Sequence, residues 1–214
     1  MSNPVVKAGH RLLELPLCYD LFQSAVGSVN FRTNFVRKNI SSSSFSSVLD
    51  LGCGTASTIG LIPNDIQYVG IDTSEEYLEK AKNRSRELNP TLINSSIADN
   101  SWVSETNLKG ETLSLALGIF HHIDDEQLES TLNNLSESLQ VGSKVVSLDP
   151  IIDNETTRLA SWFARNDRGR YIRTAETYFN SFEKAGFRMD YEVQRNKFRI
   201  PYDLILMSAV KIGR

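Results

Sequence analysis

Two apolar runs, each ending in a particular kind of residue, constrain this chain more than anything else in it. Val48-Leu49-Asp50-Leu51 breaks into Gly52-Cys53-Gly54-Thr55-Ala56, and Tyr68-Val69-Gly70-Ile71 ends in Asp72. A strand that turns at Gly-x-Gly, followed about twenty residues later by a strand ending in an acid, describes the opening βαβ unit of a nucleoside-binding sheet. The glycine turn lets backbone approach a ligand. The second acid suits a ribose, because a carboxylate only accepts hydrogen bonds and a diol has two to donate.

The turn itself indicates which nucleoside is meant. A dinucleotide fingerprint needs a third glycine, under the pyrophosphate, where this chain has Ser57. Asp50, two residues before the first glycine, would repel a pyrophosphate and attract a cationic amine. Both features disfavour a nicotinamide-dependent oxidoreductase. The run Asp50-Leu51-Gly52-Cys53-Gly54-Thr55 resembles the first motif of the class I S-adenosylmethionine-dependent methyltransferases. That resemblance implies that Asp50, Gly52 and Gly54 meet the methionine end of the cofactor. The motif often carries glycine where this chain has Ala56, and the added methyl is expected only to tighten packing.

The resemblance extends along the chain. It implies that Asp72 holds both ribose hydroxyls and that Ile97-Ala98-Asp99-Asn100, after the apolar Leu92-Ile93, meets the adenine, with Asp99 accepting from its amine. Leu113 to Asp125, containing Phe120-His121-His122-Ile123-Asp124, resembles the fourth strand and the following turn of small-molecule members, with Phe120 expected beside the cofactor. Tyr19 resembles the tyrosine that a lid helix places over the cofactor. The implied fold is α/β and Rossmann-like: a doubly wound, mostly parallel seven-stranded sheet with an antiparallel C-terminal edge and a helical N-terminal lid.

Periodicity along the chain is compatible with that fold. Apolar residues from His10 to Asn39 recur at helical spacing with a break at Gly27-Ser28, predicting two helices, and Ser41 to Ser47 reads as a polar linker. Strands at 48–51, 67–71, 113–119 and 144–148 alternate with helices at 75–86 and 127–139, which predicts a parallel sheet covered on both faces. A helix over 176–185 precedes two last strands at 187–193 and 200–210. A chain of 214 residues accommodates one domain. We divide it into a lid (1–44), a cofactor-binding core (45–150), and a substrate insertion with the C-terminal strands (151–214).

Composition narrows the partners. A net charge of -3 and a pI near 5.7, without a basic run, argue against nucleic acid. The start of the chain carries Lys7, His10, Arg11 and Glu14, unlike a secretory signal, and no stretch reads as a membrane span, so a cytoplasmic protein is expected. The only cysteines are Cys18 and Cys53, and neither sits in a nucleophile's context.

Methyl transfer requires donor and acceptor to be aligned, and an oxygen acceptor must also lose a proton. His121 and His122 follow the fourth strand, and one of them, His122 by preference, is expected to act as base or to orient the acceptor. The bland alternative has His121 packed beside the cofactor and His122 bracing the turn. A metal reading of His-His-x-Asp-Asp fails for want of a third spaced ligand, and Asp124-Asp125 suit a helix start. Asp149-Pro150 is another place for an acid facing the crevice, read here as a strand terminator before proline. Arg168, Arg170 and Arg173, in the weakly patterned stretch 153–174, are expected to face a small polar, anionic substrate; they could equally form a solvated loop balanced by Asp153, Glu155 and Asp167. A protein that keeps the cofactor pocket without transferring methyl is the remaining rival.

Overall fold

The computed structural model describes residues 28–41, 45–84, 89–165, 169–195, 197 and 201–213. Their elements run α1 Ser28–Ser41, β1 Ser47–Leu51, β2 Gln67–Asp72, α2 Glu75–Arg84, β3 Thr91–Asn94, α3 Ser101–Glu105, β4 Thr112–Leu117, α4 Asp125–Ser138, β5 Lys144–Pro150, α5 Arg158–Arg165, α6 Ala175–Lys184, β6 Phe187–Gln194 and β7 Leu204–Lys211, with single 3-10 turns at Ile59–Leu61 and Phe120–His122. The seven strands form one sheet in the order β3-β2-β1-β4-β5-β7-β6. The first five are parallel, and β7 and β6 close the edge antiparallel. This is the Rossmann-like α/β fold that the sequence predicts.

Strand alternation sorts the core into two layers, since successive side chains point to opposite faces. Leu49 and Leu51 of β1 and Val69 and Ile71 of β2 join Trp102, Leu128, Leu132, Tyr178 and Phe182 on the face covered by α3, α4 and α6. Val48 and Tyr68 face the other way, onto Val36 of α1, Ile59 and Ala81. Asp50, on the same side of β1 as Val48, is therefore an acid pointing into a packed layer.

The strand order reverses direction between β1 and β4, and in such sheets the ligand crevice opens there, beyond the carboxyl ends of the strands. The crevice is bounded by the turn after β1, Asp72 ending β2, the 97–100 turn after β3, the 3-10 turn after β4 and Asp149 near the end of β5.

The break predicted at Gly27-Ser28 coincides with the start of α1; the earlier predicted helix, with Tyr19, lies outside the described residues. Asp124 caps α4 rather than opening it, accepting from Gln127 N at 2.8 Å while Gln127 Oε1 accepts from Asp124 N. This reciprocal capping box satisfies donors that the first helical turn otherwise leaves unpaired. The stretch 153–174 contains an element the sequence pattern did not disclose, α5, whose Leu159 and Trp162 stand exposed. Eight residues give too short a window for its period to emerge.

Candidate functional site

The turn after β1 takes a left-handed backbone at three places, Gly52 (φ 65°), Gly54 (φ 54°) and Ala56 (φ 51°). Gly52 packs under Ile119, while a side-chain carbon built on Gly54 would meet nothing within 4 Å. Gly54 thus presents bare backbone to the crevice. Its N–H is already oriented, donating to Asp72 Oδ2 at 2.8 Å, and Asp72 Oδ1 accepts from Ser74 N at 2.9 Å. Each carboxylate oxygen retains a second lone pair. Ala56 is fully buried among the core side chains of its layer, and its backbone takes a left-handed conformation that favours glycine.

Asp50 is buried, and its Oδ2 accepts from both Thr58 Oγ1 and Tyr68 OH at 2.8 Å. Burial raises its pKa to about 6, even though those two donors and the charge of Arg32 act in the opposite direction. The neighbouring Cys53 thiol is buried, and its pKa is pushed far up by desolvation and then by Asp50 and Asp72, which removes it as a nucleophile.

The 97–100 turn is held from α4 by a residue the sequence reading missed. Asn134 Nδ2 faces the carbonyls of Ala98 at 3.1 Å and Asp99 at 3.0 Å, with that of Ile97 at 3.4 Å, and Trp102 Nε1 donates to Ile97 O. The Asp99 side chain is exposed on this braced turn.

On the other side, the two histidines differ sharply. His121 is buried, and its Nδ1 lies 2.8 Å from Asp149 Oδ1, which also accepts from the His121 backbone N–H. Ser147 Oγ donates to the other oxygen, Oδ2, at 2.9 Å, and Asp149 is fully buried. Asp149 therefore does more than end a strand: it anchors an imidazole. The signal was available as an acid at the end of an apolar parallel strand, but its partner is 28 residues away. Gly169 lies against the same ring, where a side-chain carbon would stand 1.8 Å from His121 Cδ2. His122 is exposed and stacks on His121 with ring centroids 4.1 Å apart.

Two expected contacts are relocated. Phe120 is fully buried, its ring against Tyr178 and Phe182, so it belongs to the core layer beneath the crevice. The 3-10 turn directs it inward because an exposed phenyl would forfeit its burial. Arg173 does not face a substrate: it is buried and donates to Phe120 O and Ile123 O at 2.7 Å and to Asp125 Oδ1 at 2.7 Å. Its planar fork braces the turn that carries the histidines. Arg170 is exposed, and Arg168 lies outside the described residues. Asp153 and Glu155 do not balance this loop; with Asp203 they surround Arg195, which reaches Asp153 at 2.5 Å and Asp203 at 2.8 Å. Among the described residues, no group of three or more side chains is placed to hold a metal ion, and no helix is long and apolar enough to cross a membrane.

Comparison with known proteins bears on the same region. The sequence profile of a family described as a methyltransferase domain matches residues 48–142. No protein with a curated description matches. Among solved structures, the YcgJ protein of Bacillus subtilis superposes with a TM-score of 0.67 at 11% identity, covering 86% of this chain and 100% of that one. A geranyl diphosphate methyltransferase in complex with GPP and sinefungin gives 0.67 at 13% identity, over 86% of this chain and 78% of that one. A Haemonchus contortus phosphoethanolamine N-methyltransferase, in complex with phosphomonomethylethanolamine and S-adenosylhomocysteine, gives 0.61 at 15% identity, over 79% of this chain and 49% of that one.

Proposed function

We propose that this chain, whose residues 48–142 match a methyltransferase domain, is a class I S-adenosylmethionine-dependent methyltransferase and methylates a small polar molecule within the crevice at the carboxyl ends of β1, β4 and β5. The crevice suits the cofactor: Gly54 offers uncovered backbone, Asp72 stands at its mouth with lone pairs to spare, and Asp50 supplies buried negative charge behind the turn. Asp72 would take the ribose hydroxyls, Asp50 the amine end, and the 97–100 turn with Asp99 the adenine. The bound cofactor supplies an activated sulfonium methyl, so the protein's task is chiefly alignment and proton handling.

The single observation that carries the catalytic reading is the His121–Asp149 hydrogen bond. A carboxylate only accepts, so Nδ1 is the donor in the 2.8 Å contact, and in the neutral imidazole Nε2 would then be the nitrogen that can accept a proton. This favours His121 over His122 as the group that takes or steers the acceptor's proton, with His122 stacked against it as a second polar wall. An acceptor carrying phosphate or carboxylate could be met by the exposed Arg170, next in sequence to the Gly169 that lies against His121. The ligands named for the two methyltransferase complexes above, phosphomonomethylethanolamine and GPP, are small molecules of that kind.

Calorimetric titration with S-adenosylmethionine, S-adenosylhomocysteine and NADH tests the cofactor, with the first two expected to bind and the third not. The base is tested by His121→Gln and His122→Gln in an acceptor screen weighted toward small acids and phosphate esters. Full turnover with both histidines replaced would exclude them from the mechanism.

A further inference from the structure

The chain from 151 to 173, described at 151–165 and 169–173, leaves the sheet beside the site and comes back to it. Ile151 follows the crevice end of β5, and α5 lies on the way out. On the return, Gly169 packs on the Cδ2–Nε2 edge of His121, where a side-chain carbon would stand 2.8 Å from Nε2, and Tyr171 N donates to His121 O at 3.1 Å. The position of this arm therefore sets how much of that ring edge an acceptor can reach.

One guanidinium holds the outgoing part of the arm. Arg195, the residue after β6, turns each of its nitrogens to a different carboxylate: Nη2 lies 2.5 Å from Asp153 Oδ2, Nη1 2.8 Å from Asp203 Oδ2 and Nε 3.3 Å from Glu155 Oε2. Asp203 belongs to the sheet, since it precedes β7 and its carbonyl accepts from Ile151 N. Asp153 and Glu155 belong to the arm. Without the cation between them, the acids of arm and sheet would repel one another. Asp153 carries the constraint onward: while Oδ2 takes Arg195, Oδ1 accepts from Glu155 N at 2.9 Å and from Thr156 N at 3.1 Å. The turn so formed leads to Thr157, whose Oγ1 accepts from Ala160 N at the start of α5. The buried side chains of α5 are only Ala160 and Ala164, with Leu159 and Trp162 turned outward, so apolar burial seats this helix weakly.

We propose that Arg195 is a positioning residue for methyl transfer: by joining the ends of β6 and β7 to the turn that starts α5, it fixes the arm whose return covers the Nε2 edge of His121. The proposal rests on the reading of His121 as the group that handles the acceptor's proton. Arginine suits the task because its planar fork presents donors in several fixed directions at once, which a lysine ammonium does not reproduce.

The test needs no acceptor. Wild type, Arg195→Ala and Arg195→Lys are treated with diethyl pyrocarbonate, which modifies unprotonated imidazole nitrogen, and the rates at His121 and His122 are read separately by tandem mass spectrometry. The exposed His122 serves as internal standard, and calorimetry with S-adenosylhomocysteine reports on the cofactor side of the crevice. In Arg195→Ala, His121 is expected to react about threefold to thirtyfold faster relative to His122, with S-adenosylhomocysteine affinity within about twofold of wild type. Arg195→Lys should fall between. An unchanged His121 rate in Arg195→Ala, or a rise accompanied by a matching loss of S-adenosylhomocysteine affinity, would overturn the assignment, the second because it marks general loosening. Full turnover by His121→Gln in the acceptor screen would instead overturn the base reading on which the proposal rests.

Discussion

At the scale of single residues, the site is an arrangement of buried groups whose charge states the fold controls. Asp50 shows this best. Its folded pKa of about 6 lies above the ordinary 3.8, so the folded chain binds a proton more tightly than the unfolded one does. The stabilising contribution is present in full below pH 3.8 and is lost as pH rises through about 6. Asp50→Asn is therefore expected to raise stability at pH 7 to 8 by up to about 3 kcal/mol and by little at pH 4, measured by urea denaturation at both values. The same substitution should abolish the charge available to a ligand amine. In wild type, S-adenosylmethionine affinity is expected to fall by up to about tenfold per pH unit below pH 6, a slope that Asp50→Asn should flatten. Gly169 gives a second prediction at this scale. The built carbon 1.8 Å from His121 Cδ2 means that Gly169→Ala must displace either the imidazole or its own backbone. Turnover should drop by at least about tenfold while cofactor affinity stays near wild type, a split that calorimetry and a rate assay read separately.

Elements contribute by carrying braces from distant parts of the chain to the turns that bear the site. α4 holds the 97–100 turn through Asn134, and the segment before α6 holds the 120–122 turn through Arg173. Removing Arg173 leaves the buried carbonyls of Phe120 and Ile123 without this donor, a loss larger than the net value of the hydrogen bonds themselves, and removing Asn134 does the same at the half-buried carbonyls of Ala98 and Asp99. Asn134→Ala should cost about 1 to 3 kcal/mol in denaturation and loosen adenosine binding, whereas Arg173→Met should cost at least as much and lower turnover more than cofactor affinity. Equal damage to both functions by both variants would mean that these braces serve general stability alone. The antiparallel β5–β7–β6 edge has a quieter part. By pairing Asp149 with Ile205 and Pro150 with Leu204, it fixes the end of β5 from which Asp149 meets His121.

Among the described residues, two packed layers flank the sheet and the crevice lies beyond the carboxyl ends of its strands, with α1 laid along one layer and Arg32 near the end of β4. Binding there should report on global stability. A ligand at a hundred times its Kd adds about 2.7 kcal/mol to a state that alone can bind it. For a chain of this size that corresponds to a rise in Tm of roughly 5 to 10 °C. S-adenosylmethionine should produce such a shift and NADH should not, as a thermal melt would show.

The sequence by itself determined the sheet, its parallel order and the place of the crevice. Those follow from local signals: apolar runs alternating with helical segments, a glycine turn with its acid, and an acid ending the next strand about twenty residues on. It also marked both histidines and, in Asp124-Asp125, a helix start. The tertiary structure decided what each candidate could do. It joined His121 to Asp149 across 28 residues, turned Phe120 into the core, took Arg173 for a brace, and brought Arg32 and Asn134, neither marked by any motif, to the rim of the site. The physical reason is that backbone preference and burial pattern are encoded by near neighbours, whereas the partner of a buried polar group is set by whichever strands and helices the packed sheet makes adjacent.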